Sequence, residues 1–203
     1  MTDHDDDAAA TFLTEVGHLK RTKRAGWWIA GVRDPESVAE HSHRAAVIAY
    51  VLALMEGADP CRAATLAVFH DVPEVRTGDV PSIGRPFVDH APDTEVIAAQ
   101  TARLPAAIAG PIRDMVAEFG AQETPEARCA KDADRIECLL QAREYQAQGN
   151  PLVQPWVDSM VAAVRTASGR RLADAALRMP VDAWWRDVVS SYGSTSAEAS
   201  PAG

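Results

Sequence analysis

Four polar residues stand out by type and spacing: His41, the doublet His70-Asp71 and Asp134. The doublet follows the first histidine by 29 residues, and Asp134 lies 63 residues beyond Asp71. Val38, His41, Ala45, Ile48, Leu52 and Met55 recur at alternating intervals of three and four, which turns His41 toward an apolar face and His43 elsewhere. Ala63, Leu66, Ala67 and His70 form a second such stripe, ending on the doublet. Ala127, Ala130, Asp134, Cys138 and Gln141 form a third, with Asp132 and Glu137 off its line. Taken singly, His41 or Asp134 fits a hydrogen-bonded core position. Taken together, carboxylates and imidazoles converging in a low dielectric leave uncompensated negative charge, and a divalent cation removes it. Two imidazoles with two carboxylates suit Mn²⁺, Co²⁺, Fe²⁺ or Zn²⁺ better than Ca²⁺.

The elements that must position these groups are helices, because strict alternation is almost absent and apolar residues recur every three or four positions. Helices are predicted over 8–20, 35–56, 60–70, 73–77, 94–108, 111–119, 125–148, 155–167, 170–178 and 182–192. Asp34-Pro35, Asp59-Pro60, Thr124-Pro125 and Asn150-Pro151 each place a capping side chain before a proline suited to a first helical position. The expected architecture is one all-α domain over 8–192, between a disordered acidic tail (1–7) and a disordered small-residue tail (193–203). Segments 23–33 and 78–90 carry Gly, Pro and aromatics and read as loops that could line a site. Trp184 and Trp185, on a terminal helix with Val181, Val188 and Val189, read as core or interface.

With 203 residues and a net charge of −9, the chain repels polyphosphate backbones, so nucleic-acid binding is not expected. Three cysteines without Cys-x-x-Cys spacing fit a reducing cytoplasm. No apolar run reaches the ~20 residues that span a bilayer, and the acidic start lacks a signal-peptide pattern. Neither membrane insertion nor export is expected.

The segments PESVAEHSHRAA (35–46), FHDVPEVRTGD (69–79) and KDADRIECLLQAREY (131–145) resemble the HD-domain metal-dependent phosphohydrolases. Within them they look like the branch of bacterial 5′-deoxynucleotidases and HD-domain-containing protein 2. The resemblance runs from about Phe12 to Tyr145. It implies an HD-type helical bundle with His41, His70, Asp71 and Asp134 as metal ligands. It further implies Glu74 and Asp79 as acid/base carboxylates, Arg24 as the phosphate-contacting arginine and Trp27 as its aromatic neighbour, with Gly26 between Arg and Trp as in one sub-branch. One divalent ion per chain is expected, Mn²⁺ or Co²⁺ first, with Fe²⁺, Zn²⁺ and Mg²⁺ as alternatives. A homodimer is expected on the same ground.

The chemistry asks for these residue types independently. A phosphate monoester is a dianion, so a catalyst must offset its charge, activate water and protonate the leaving alkoxide. Pro73 opens a short helix directly after the doublet and puts Glu74 in its first turn, where the bland alternative is a helix-dipole carboxylate. Gly78 lets the chain turn and present Asp79, whose alternative is ordinary turn chemistry. Four of the five residues 20–24 are basic, and Arg24 comes first among them as a phosphate clamp, the alternative being a solvated basic face. The favoured reading is a 5′-phosphomonoesterase acting on (deoxy)nucleoside monophosphates. An alarmone hydrolase of this superfamily would need a Glu-Asp pair where Glu74-Val75 stands. A diiron or cyclic-dinucleotide enzyme would need more histidines between Asp71 and Asp134 than His90. A non-catalytic nucleotide-binding module is the remaining rival.

Overall fold

A computed structural model describes residues 2–89 and 91–197, the last five as backbone only; His90 lies outside the described residues. The helices are α1 (Asp3–Val16), α2 (Gly26–Ile29), α3 (Val38–Glu56), α4 (Pro60–Phe69), α5 (Glu74–Thr77), α6 (Asp93–Gln100), α7 (Ala106–Ala121), α8 (Pro125–Ala147), α9 (Gln154–Ala163), α10 (Ala167–Arg178) and α11 (Ala183–Ala197). Among the described residues there is no strand, only an isolated antiparallel bridge between Lys23 and Ser37. The all-α expectation holds.

Capping chemistry explains where the boundaries fall and where they depart from the sequence pattern. Asp59 and Thr124 cap α4 and α8 ahead of their prolines, as the pattern requires. α3 starts at Val38 rather than Pro35, because Ser37 and Glu40 form a reciprocal capping box. Pro35 is instead held outside the helix by Lys23, whose Nζ donates to the Pro35 carbonyl at 2.7 Å and pairs with Asp34 at 2.8 Å. A second capping box, Thr2 with Asp5, carries α1 back through residues expected to be a disordered tail. Likewise, α11 runs to Ala197, into the segment expected to be a second tail, whose remainder (198–203) lies outside the described residues. The break expected near residue 110 falls at 101–105 instead, where the Thr101 hydroxyl donates to the Ile97 carbonyl at 2.6 Å and accepts from Arg113 at 2.8 Å. α7 continues through Pro111. Asn150-Pro151 opens a 3₁₀ turn that leads into α9.

α8 is the central helix, packed against α3, α4 and α7 and also against α9 and α10. Leu52, Leu66, Phe119 and Ile136 fill the core between α3, α4, α7 and α8. Val38, Val72 and Ile97 close one end of the molecule against α1, and Trp27, Leu139, Tyr145 and Val153 close the other. Because α8 is covered on more than one side, Asp132 and Glu137 are buried although they lie off the stripe of Asp134. The terminal helix behaves in the opposite way. Trp184 is 75% exposed and Trp185, Val188 and Val189 are also exposed, so the core alternative for them does not hold.

Candidate active site

α3, the end of α4 and the middle of α8 bring His41, His70, Asp71 and Asp134 to one point. His41 is fully buried. Its Nδ1 makes a very short contact with a Glu137 carboxylate oxygen, and Glu137 in turn accepts from Arg44 Nε at 2.9 Å. His70 Nδ1 lies 2.7 Å from the Ala67 carbonyl, which can only accept, so that nitrogen carries the ring proton. Each imidazole is therefore held by Nδ1 with Nε2 aimed away from its anchor.

The two Nε2 atoms meet the two aspartates. His41 Nε2 lies 3.3 Å from Asp134 Oδ1 and 3.6 Å from Asp71 Oδ2; His70 Nε2 lies 3.0 Å from Asp71 Oδ2 and 4.0 Å from Asp134 Oδ1. Both nitrogens and Asp71 Oδ2 are buried with no hydrogen-bond partner. Unpartnered imidazole nitrogens facing carboxylate oxygens form a candidate donor set for a divalent cation, with His41, His70 and Asp71 close enough to share one ion and Asp134 beside them, and nitrogen with oxygen donors matches a first-row transition metal. The charge balance agrees. Burial and Arg24 oppose a charge on His41, yet Asp134 and Glu137 outweigh them and hold its pKa up to about 10. Burial works against the ionised Asp71 as well, but His70, His41 and Arg24 keep it well below the ordinary carboxylate range. The site thus demands positive charge.

Around this point the structure brings the other expected residues. Glu74, in the first turn of α5, keeps one buried oxygen without a partner. Burial, then the like charges of Asp71 and Asp79, push its carboxyl up to about 9. Asp79 accepts the Ala25 N–H at 2.5 Å and faces Arg24 at 3.8 Å, which ties the loop after Gly78 to the loop before α2. The Arg24 guanidinium lies 3.7 Å from Asp71, within ion-pair range but beyond hydrogen-bond distance, so its donors remain for a ligand. The pairing of segments 22–24 and 36–38 places it there: Arg24 N donates to the Glu36 carbonyl and Val38 N to the Thr22 carbonyl. Trp27 reaches the cavity wall but is 2% exposed, with its indole N–H donated to Glu36 at 2.9 Å. Arg24, Asp71, Glu74, Asp79 and Asp134 all border one cavity of about 280 Å³.

Sequence reasoning missed three contributors. Lys131 binds Asp134 at 2.8 Å from one turn earlier, a spacing that could have been read from the chain. Glu137 and Arg44 brace His41 across two helices, a contact with no local signal.

The sequence matches the HD domain over residues 16–172, more than three quarters of the chain. The chain belongs to the HD-domain family. That span contains every site residue named above and stops short of α11. This HD-domain chain is 36% identical to the 5′-deoxynucleotidase HDDC2 of Bos taurus over 137 residues, 66% of each chain. It is 28% identical to the 5′-deoxynucleotidase hdd1 of Schizosaccharomyces pombe over 173 residues, 74% of this chain and 87% of that one. The fold superposes with a TM-score of 0.64 on a predicted metal-dependent phosphohydrolase from Magnetospirillum magnetotacticum, 25% identical, covering 87% of this chain and 97% of the other.

Proposed function

We propose that this HD-domain protein is a metal-dependent phosphomonoesterase that hydrolyses the 5′-phosphate of (deoxy)nucleoside monophosphates to nucleoside and phosphate. The observation that carries the reading is the convergence of the partnerless His41 and His70 Nε2 atoms with Asp71 and Asp134 beneath a cavity that Arg24 and Glu74 border. The 5′-deoxynucleotidase relatives supply the substrate class. A divalent ion, Mn²⁺ or Co²⁺ before Fe²⁺, Zn²⁺ or Mg²⁺, would be held by His41, His70, Asp71 and Asp134, where it supplies Lewis acidity that offsets phosphate charge and acidifies water.

The chain's own residues do the rest. Arg24 binds the phosphate through two parallel N–H donors, a geometry that an ammonium cannot reproduce. Glu74 holds its proton near neutral pH and delivers it to the departing 5′-oxygen, recovering one from the attacking water. Asp79 is the second carboxylate: one oxygen fixes Ala25, the other faces Arg24, so it orients the clamp and the polar edge of the cavity. Lys131 holds Asp134 in place. Three unpaired cysteines support a reducing, cytoplasmic setting, and the exposed Trp184, Trp185 and Val189 of α11 support a homodimer. No helix among the described residues is long and apolar enough to cross a membrane.

The test is phosphate release from dAMP, AMP and dCMP by chelator-stripped protein resupplied with Mn²⁺, Co²⁺, Zn²⁺ or Mg²⁺. Metal-dependent release supports the reading. Failure to cleave any of the three with any metal overturns it.

A further inference from the structure

The cavity has a second wall that no catalytic step uses. α9 turns Trp156 and Met160, four residues apart and so on one helix face, toward it, and Ile29 of α2 and Ile83 of the loop after Gly78 border it as well. The indole that the family resemblance points to, Trp27, has little surface left to offer. Its ring is met edge-on by Tyr145 at 5.2 Å between centroids and lies tilted against Trp156 at 5.7 Å, and its N–H is spent on Glu36. Trp156 is only half-buried and is the ring of this stack that α9 carries to the cavity.

The charged end and Trp156 line the same cavity. A Cβ on Gly26 would lie 3.5 Å from Trp156 Nε1, so α2 lies directly against the indole edge. The Cα of Arg24 stands two residues earlier, no more than about 7 Å from that of Gly26. A ligand whose phosphate lies at Arg24 therefore has Trp156 in the wall of the cavity that holds it. We infer that Trp156, backed by Met160, is the platform on which the nucleobase of the substrate rests. The inference rests on the nucleotide reading above and adds the residue that senses the base. Stacking on an indole accepts any base, because every base has a π-face, and it rewards a purine more than a pyrimidine by its larger area.

The test compares kcat/KM for dAMP, dCMP and 2-deoxyribose 5-phosphate, which keeps phosphate and sugar but has no base. In the wild type, dAMP should exceed the sugar phosphate by roughly tenfold or more. Trp156→Leu, which keeps apolar bulk but lacks the ring, should shrink that ratio to about two to threefold, mainly through KM, with a smaller change for dCMP. Trp156→Phe should restore most of it. Met160→Ala should move the ratio the same way by a lesser amount, which keeps the test decisive if Trp156→Leu folds poorly. Equal losses on all three substrates would make Trp156 mere support for Trp27 and overturn the platform. Wild-type protein that cleaves the sugar phosphate as well as dAMP would overturn the platform and leave the phosphatase standing. Cleavage of none of them would overturn both.

Discussion

Asp132 and Asp134 stand two residues apart on α8, the first buried and the second at the floor of the cavity, and they do opposite things. Asp132 is answered entirely by the chain: it accepts from Arg165 N at 2.9 Å, Thr166 N at 2.6 Å and Arg135 at 2.8 Å, and so binds the turn before α10 to the central helix. Asp134 has one oxygen on Lys131 and the other turned toward two histidine nitrogens that no protein group satisfies. A buried carboxylate whose partners are all covalently part of the fold stabilises it. A buried group left short of partners marks a place for something that is not part of the chain.

The largest effect should come from exchanging the two. Asp134→Ala or His70→Ala should take the metal content from about one ion per chain to near zero and abolish phosphate release, whereas Asp132→Ala should leave both in place. Elemental analysis of protein purified without chelator checks this, and metal retained by His70→Ala would break the comparison. Glu74→Gln should then lower kcat by about 10² to 10⁴ while the metal stays bound, the scale of a lost acid/base group. Metal loss in that variant would make Glu74 a ligand. Arg24→Ala should reduce kcat/KM by roughly 10² or more, and Arg24→Lys should recover little of it, since the charge returns without the fork.

Smaller effects fall on stability. Asp132→Ala should lower unfolding free energy by about 3 kcal/mol, because three donors lose a buried acceptor. Gly169→Ala acts at the same junction: its Cβ would stand 2.6 Å from Thr166 Oγ1 and 2.9 Å from Val164 Cγ1, so urea denaturation should show a loss of about 1 to 3 kcal/mol with metal content intact. Chelated protein should also show a pH dependence. Glu74 is raised in the folded state from 4.5 to about 9, so the stability that comes with its proton is full below pH 4.5 and declines as pH rises toward 9. Glu74→Gln removes that decline. The melting temperature of the variant minus that of the wild type should therefore grow between pH 5 and pH 9, and a flat difference would mean Glu74 is not held protonated.

That His41, His70, Asp71 and Asp134 turn toward one point was legible in the chain because helical period and heptad-scale spacing decide which face a residue occupies, and that is a local property. The same holds for α4 and α8, where Asp59 and Thr124 sit next to their prolines. What the sequence could not decide was how many sides of a helix are covered. Asp132 and Glu137 are buried because α8 runs through the middle of the molecule, while Trp184 and Trp185, on the peripheral α11, are exposed. Nor could it decide that Trp27 is buried while Trp156, beside it on the same cavity, is only half-buried, since that depends on residues more than a hundred positions apart closing around one space. Pattern along a chain reports the direction of a side chain; only the packed structure determines what stands opposite it, and burial, charge and hydrogen bonding all depend on that partner.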